Sequence, residues 1–153
     1  MSFLPVWLPV RLKKLNPAAE IPEYRTGGAA ACDLRALPET PVTLAPGERA
    51  LIPTGIALDF GEDSGVVCLI FARSGLASKH GVCLSNGVGV VDADYRGEIM
   101  VALVNTGPDP FTVSPGDRIA QMAFVPVLRA AFEEVPDLGE TERGEGGFGH
   151  TGI

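Results

Sequence analysis

Val, Ile, Leu and Phe gather along this chain in short runs, and glycine or proline stands at most of the gaps between them. The clearest runs are Pro41–Leu44, Ala50–Leu58, Gly65–Phe71, Ile99–Val104, Phe111–Val113 and Ile119–Val125. Runs this short, bounded by turn formers, predict the strands of an all-β sandwich or barrel. The apolar start, Met1–Val10, is read as a further strand. Pro5 and Pro9 interrupt it, and it lacks the basic leader and small-residue cleavage site of an export signal. One stretch reads as helix, with Ser74 as its cap, Leu76 to His80 as its body and Gly81 as its stop.

A weak internal echo fixes two turns. Ala45-Pro-Gly-Glu-Arg-Ala50 resembles Ser114-Pro-Gly-Asp-Arg-Ile119. Proline presets φ and the glycine after it accepts a positive φ, so each copy is read as a type II turn between strands. A functional role for the second copy must then rest on what differs, chiefly Gln121.

Composition narrows the classes. A chain of 153 residues, 46% apolar and 20% charged, suits one ordinary globular domain. A net charge of −7 argues against non-specific binding to nucleic acid or to an anionic membrane surface. No apolar stretch is long enough to span a bilayer, and the expected location is the cytoplasm. Cys32, Cys68 and Cys83 have no Cys-x-x-Cys spacing and are read as buried thiols of a reducing compartment. Beyond Pro136 the apolar content collapses and glycines multiply, which divides the chain into a body, 1–136, and an arm, 137–153. Such an arm cannot bury enough surface to offset its ordering entropy. It is either a plain disordered tail or a strap carrying a cation, Arg143, and an aromatic plate, Phe148.

Four further segments carry chemistry. In Asn86–Glu98, an apolar stretch (Val88, Val90, Val91) runs into Asp92, Asp94, Tyr95, Arg96 and Glu98. On a strand Asp92 and Asp94 share one face and Ala93 and Tyr95 the other. Gly87 and Gly89 leave the backbone open to approach. The segment is either a β-hairpin pocket with a carboxylate base at its rim or a hairpin with an exposed polar turn. Arg73-Ser74-Gly75 puts a guanidinium, a hydroxyl and bare backbone at a helix start, an arrangement suited to phosphate. Capping by Ser74 would explain Ser74 but not Arg73. Asp33 sits in an apolar run, so it is either paired in the core or holds water around a metal ion. Gln121 is either a polar contact or part of a turn and strand with a local Asp–Arg pair. No His, Asp and Glu spacing suggests an all-protein metal cage, so any metal is expected to be Mg²⁺ arriving on phosphates. His80 and His150 are read as surface or tail residues.

Taken in order, Ala29–Leu34, Arg73–Ala77, Asn86–Glu98, Gly116–Gln121 and Arg143–Gly152 resemble the five motifs of the trimeric deoxyuridine triphosphatases, the dUTPases. Ala72, Cys32 and Arg35 depart from the usual pattern and touch only local packing. The resemblance implies a jelly-roll-like β subunit with one short helix and a flexible C-terminal arm. It implies a homotrimer whose sites are shared between chains, and hydrolysis of dUTP to dUMP and pyrophosphate with Mg²⁺. That reaction keeps uracil out of DNA and supplies dUMP for thymidylate synthesis.

By the same resemblance, Asp92 activates the water that attacks the α-phosphorus. Asn86, Val90 and Val91 line the uracil pocket, with Met100 on the returning strand. Tyr95 packs under the deoxyribose; for Met100 and Tyr95, plain core packing is the alternative. Arg73, Ser74, Gly75 and Gln121 hold phosphates. Arg143 clamps the terminal phosphate, Phe148 stacks on uracil, and Asp33 orders water around Mg²⁺. A deaminase of the same superfamily would instead need a glutamate acting at the pyrimidine C4. A nucleotide-binding module would keep the pocket without turnover.

Overall fold

The computed structural model describes residues 7–147, and among these there are ten strands and one helix. In chain order they are β1 (Arg11–Lys14), β2 (Cys32–Arg35), β3 (Val42–Leu44), β4 (Arg49–Asp59), β5 (Val66–Ala72), α1 (Ser74–His80), β6 (Val82–Leu84), β7 (Gly89–Val91), β8 (Glu98–Asn105), β9 (Phe111–Val113) and β10 (Arg118–Pro126). One antiparallel sheet has the order β1-β4-β8-β6 and a second β2-β10-β5-β7, while β3 and β9 form a ribbon. The two sheets share one core, in which Leu34, Cys68, Ile70 and Met122 of one meet Ile52, Ile56, Ile99, Val101 and Leu103 of the other. This is the all-β sandwich that the apolar runs imply, and it fits the jelly-roll-like subunit that the family resemblance implies.

Alternation does the sorting. On β8, Ile99, Val101, Leu103 and Asn105 are buried while Glu98, Met100, Ala102 and Val104 take the other face. On β2, Cys32 and Leu34 face inward, and Asp33 and Arg35 face out. Asn105 is the polar exception, fully buried at the end of β8. Its Nδ2 donates to the carbonyls of Leu44 (2.9 Å) and Asp109 (2.8 Å), and its Oδ1 accepts from Gly107 N (2.9 Å). With every group satisfied, it ties β8 to β3 and to the loop leading into β9.

All six apolar runs named above become strands. Of the strand expected over Met1–Val10, residues 1–6 lie outside the described residues, and the described ladder begins at Arg11, pairing with Asp59 of β4. Residues 7–10 carry no ladder, and Leu8 and Val10 lean on the core instead. The helix cap also differs. Arg73, extended at φ −86° and ψ 129°, is the N-cap, no side chain caps the helix, and Ser74 is the first helical residue. The stop is as read: Gly81 adopts φ 68°, and a Cβ there would lie 2.5 Å from Gly107 N.

Both Pro-Gly turns form. Gly47 and Gly116 have φ of 83° and 89°, and the closing bonds run from Glu48 N to Ala45 O and from Asp117 N to Ser114 O. In each copy the acidic side chain also accepts from the first turn residue, Glu48 from Ala45 N and Asp117 from Ser114 N. Strand β10 ends at Pro126, and Val127 N donates to Gly65 O at 2.9 Å. Among the described residues from Leu128 to Gly147 there is no strand, and the chain is exposed up to Glu145.

Candidate functional site

Asp33 stands on the outward face of β2 and collects arginines. Arg73 Nε donates to its Oδ1 at 3.1 Å and Arg118 Nη1 to its Oδ2 at 3.0 Å, while Arg25 Nε lies 3.6 Å from Oδ2. The Asp33 side chain is 16% exposed. Burial works to raise its carboxyl, but the Arg118 hydrogen bond and the charges of Arg73, Arg118 and Arg25 outweigh burial and hold it below the ordinary carboxylate value. Arg73 is fixed a second time, its Nη1 donating to Arg118 O at 3.0 Å. Three guanidiniums against one carboxylate leave an excess of two positive charges in a chain whose net charge is −7.

Gln121 belongs to the same cluster. It pairs with Asp33 of β2 on one side and Phe71 of β5 on the other, and its Nε2 donates to Ala72 O at 3.0 Å. Ser74 and Gly75 follow Arg73 at the start of α1 and are exposed, and a Cβ on Gly75 would meet nothing within 4 Å. Since no side chain caps the helix, the capping explanation of Ser74 falls away. The reading of Asp33 as paired describes its protein contacts. The local Asp–Arg pair expected beside Gln121 does not form: Asp117 accepts from Ser114 N, and Arg118 reaches across to Asp33 on β2.

The segment Asn86–Glu98 is not a simple hairpin. β6 pairs with β8 in one sheet, and β7 pairs with β5 in the other, so the chain crosses between sheets twice within it. The alternation argument for Asp92 and Tyr95 does not apply, because the strand stops at Val91 and Tyr95 N closes a turn onto Asp92 O at 3.1 Å. Gly89 is explained by this chain itself: a Cβ there would lie 3.0 Å from Ile70 Cβ. Gly87 adopts φ 73° in the turn after Asn86, which is exposed. Val91 is buried, while Val90 is 63% exposed. Met100 is half-buried on the outer face of β8, opposite Pro53.

Asp92 is exposed and opens onto a cleft of ≈ 830 Å³ that also includes Val67, Leu69, Val90, Asp94 and Arg129. The turn after it is held by Arg96, whose Nη1 donates to Ala93 O (2.7 Å) and Tyr95 O (3.1 Å) and whose Nη2 pairs with Asp59 (3.1 Å). Tyr95 Oη donates to Glu98 O at 3.0 Å, and Glu98 Oε1 accepts from Gly55 N at 2.7 Å.

The two groups lie far apart in one chain. β7 runs antiparallel to β5 with Val91 opposite Cys68, which sets Asp92 beside Val67. Arg73 is six residues further along the same line, roughly 20 Å at ~3.3 Å per residue. Asp33, Arg73, Arg118 and Gln121 are therefore one cluster, and Asp92, Tyr95 and Val90 belong to another. In the arm, Arg143 Nε donates to Gly146 O at 2.7 Å, within a local turn. Phe148 lies outside the described residues.

No group of three or more His, Cys, Asp or Glu among the described residues could hold a metal ion directly. Each Asp33 oxygen accepts one guanidinium hydrogen bond, with Arg25 as a further ion pair on Oδ2, so the donor set fits contact with a metal through water only. No helix among the described residues is long and apolar enough to cross a membrane.

A family model described as dUTPase matches residues 18–152. The deoxyuridine 5'-triphosphate nucleotidohydrolase of Desulfitobacterium hafniense is 53% identical over 138 residues, covering 90% of this chain and 91% of that protein. The protein of the same name from Aeromonas salmonicida is 50% identical over 132 residues, with 86% of each chain covered. Among solved structures, the dUTPase of Staphylococcus bacteriophage 80alpha with dUPNHPP superposes with a TM-score of 0.84 at 26% identity, covering 95% of this chain and 99% of that one.

Proposed function

This chain belongs to the dUTPase family, and we infer that it hydrolyses dUTP to dUMP and pyrophosphate. The reaction removes dUTP from the precursors of DNA and supplies dUMP for thymidylate synthesis, and a cytoplasmic location is part of the same proposal. The observation that carries the reading is the arginine cluster on Asp33. In an acidic chain it concentrates positive charge at the start of α1, where a polyphosphate needs it.

The residues take the following roles. Arg73, Ser74, Gly75 and Gln121 bind phosphates, with the guanidinium of Arg73 held in place by Asp33 and by the Arg118 carbonyl. Asp92, exposed on its turn, accepts a proton from the water that attacks the α-phosphorus. Asn86, Val90 and Val91 receive uracil, Met100 borders that pocket, and Tyr95 lies under the deoxyribose. Arg143 and Phe148 close over the terminal phosphate and the base. Asp33 would hold Mg²⁺ through water, and the ion would supply neutralisation of charge on the triphosphate. Most of the acceleration comes from positioning and charge neutralisation.

The roughly 20 Å between Asp92 and Arg73 along β5 is too long for both to act on one triphosphate within one chain. A site shared between chains, in which the Asp92 segment of one subunit meets the arginine cluster of another, is the arrangement this reading requires, and the homotrimer is what the family resemblance implies. The exposed apolar residues Leu51, Val90, Leu128 and Phe132 support burial against such neighbours. So does the arm, whose described hydrogen bonds run only within itself.

The test is pyrophosphate release with Mg²⁺ from dUTP, dCTP, dTTP and UTP in parallel, with ammonia measured for dCTP. Release from dUTP alone is expected. Ammonia from dCTP would move the chain to the deaminases, and no turnover of any of the four would leave a binding module. Asp92→Asn is expected to slow dUTP turnover by about 10²–10⁴-fold, and parent-like turnover would remove Asp92 from its role.

A further inference from the structure

Gly97 follows the tyrosine of the site by two residues, and its backbone is not in the left-handed region. Conformation does not demand glycine there, but space does. A Cβ on Gly97 would lie 2.5 Å from Cζ and 3.0 Å from Cε2 of Tyr95, and would also overlap its Oη. Carbon atoms rest at about 3.5–4.0 Å, so the clash exceeds any small adjustment. The Tyr95 ring thus lies back across Gly97, with its Oη donating to Glu98 O at 3.0 Å.

The backbone around Gly97 is held on both sides. Arg96 bonds the carbonyls of Ala93 and Tyr95, and Glu98 is tied to Gly55 N and paired with Ala57. When a methyl group is added at Gly97, the part free to move is the Tyr95 ring, which is 46% exposed. The ring can swing into solvent while the core stays intact.

We propose that Gly97 is a specificity-determining position: by lacking a side chain it fixes the height at which Tyr95 floors the sugar subsite, and so helps to exclude a ribose 2′-hydroxyl. The inference rests on the reading of Tyr95 as the surface under the deoxyribose. A floor held at one height rejects an extra hydroxyl, whereas a floor that swings accommodates it. Gly97 acts through Tyr95 and is a positioning residue.

The experiment compares kcat/KM for dUTP and UTP, by pyrophosphate release with Mg²⁺, in the parent, Gly97→Ala and Tyr95→Phe, with thermal melts to establish folding. Gly97→Ala is expected to melt within a few degrees of the parent. Its dUTP-to-UTP preference should fall about tenfold, with KM for dUTP raised. Tyr95→Phe keeps the ring but loses the anchor to Glu98, so its preference should fall in the same direction by less. It tests the anchored floor even if Gly97→Ala fails to fold. An unchanged preference, or an equal loss on both nucleotides, in whichever variants fold would overturn the inference. Failure of the parent to turn over dUTP at all would instead overturn the reading on which it rests.

Discussion

Replacing Asp33 by Asn isolates the carboxylate that organises the arginine cluster. Asp33 accepts one charge-assisted bond from Arg73 and one from Arg118. Each such bond is worth about 1.5–3 kcal/mol where solvent does not compete. The Arg118 side chain is 38% exposed, so its share is screened toward the low end, about 1 kcal/mol, while the Arg73 bond keeps about 2. Asn retains one neutral acceptor and recovers about 1 kcal/mol, for a net loss of about 2 kcal/mol. At roughly 2–4 °C per kcal/mol for a domain of this size, the melting temperature should fall by about 4–8 °C at pH 7.

The pH dependence carries the sign. The folded Asp33 pKa is lowered, so its contribution is complete above the unfolded value and is lost as pH falls through the folded value. Melts of both proteins from pH 7 downward should show a gap that is full at neutral pH and closes below about pH 3.9, the ordinary aspartate value. Equal melting temperatures at pH 7, or a gap that widens on acidification, would refute the argument.

Two other perturbations test the frame and the arm. Asn105→Leu strands the carbonyls of Leu44 and Asp109 and the Gly107 N–H that Asn105 now satisfies. It should cost about 3 kcal/mol in urea unfolding with an unchanged m-value, and a loss below ~1 kcal/mol would show that water replaces these bonds. Truncation after Pro136 should leave a folded body and, with the closing role proposed for the arm, depress dUTP hydrolysis at least about tenfold. Unchanged hydrolysis would take Arg143 and Phe148 out of the mechanism.

The strands were legible because each long apolar run has only one way to bury itself. Ala50–Leu58 and Ile99–Val104 pair as β4 and β8, and their alternation sends Ile52, Val101 and Leu103 inward. β6 escaped notice because three residues between a helix stop and a turn offer almost no periodicity. The Pro-Gly turns were legible in detail because proline and glycine fix backbone angles locally. Ser74 as cap was a local argument that lost to the chain: the extended residue before the helix is Arg73, which β5 delivers and the Arg118 carbonyl holds. Gly89 invited a ligand in the sequence, whereas Ile70 occupies that space, a contact across strands that no local pattern encodes.

The deeper limit concerns β5, which links the two halves of the site. Sequence order puts Arg73 nearer to Asn86–Tyr95 than Asp33 is. The ladder reverses that order: Asp33 meets Arg73 through β10, while β7 turns back along β5 and carries Asp92 to its far end. Pairing register, not spacing along the chain, decides which residues meet, and a slip of one residue would exchange the buried Val91 for the exposed Val90. The register is held by close packing of Gly89 on Ile70 and by burial of Val91, and neither residue carries chemistry in the phosphate cluster. The same packing that makes the chain fold therefore separates Asp92 from Arg73. With the roles proposed for Asp92 and Arg73, hydrolysis would then depend on a second chain to bring an Asp92 within reach of this Arg73.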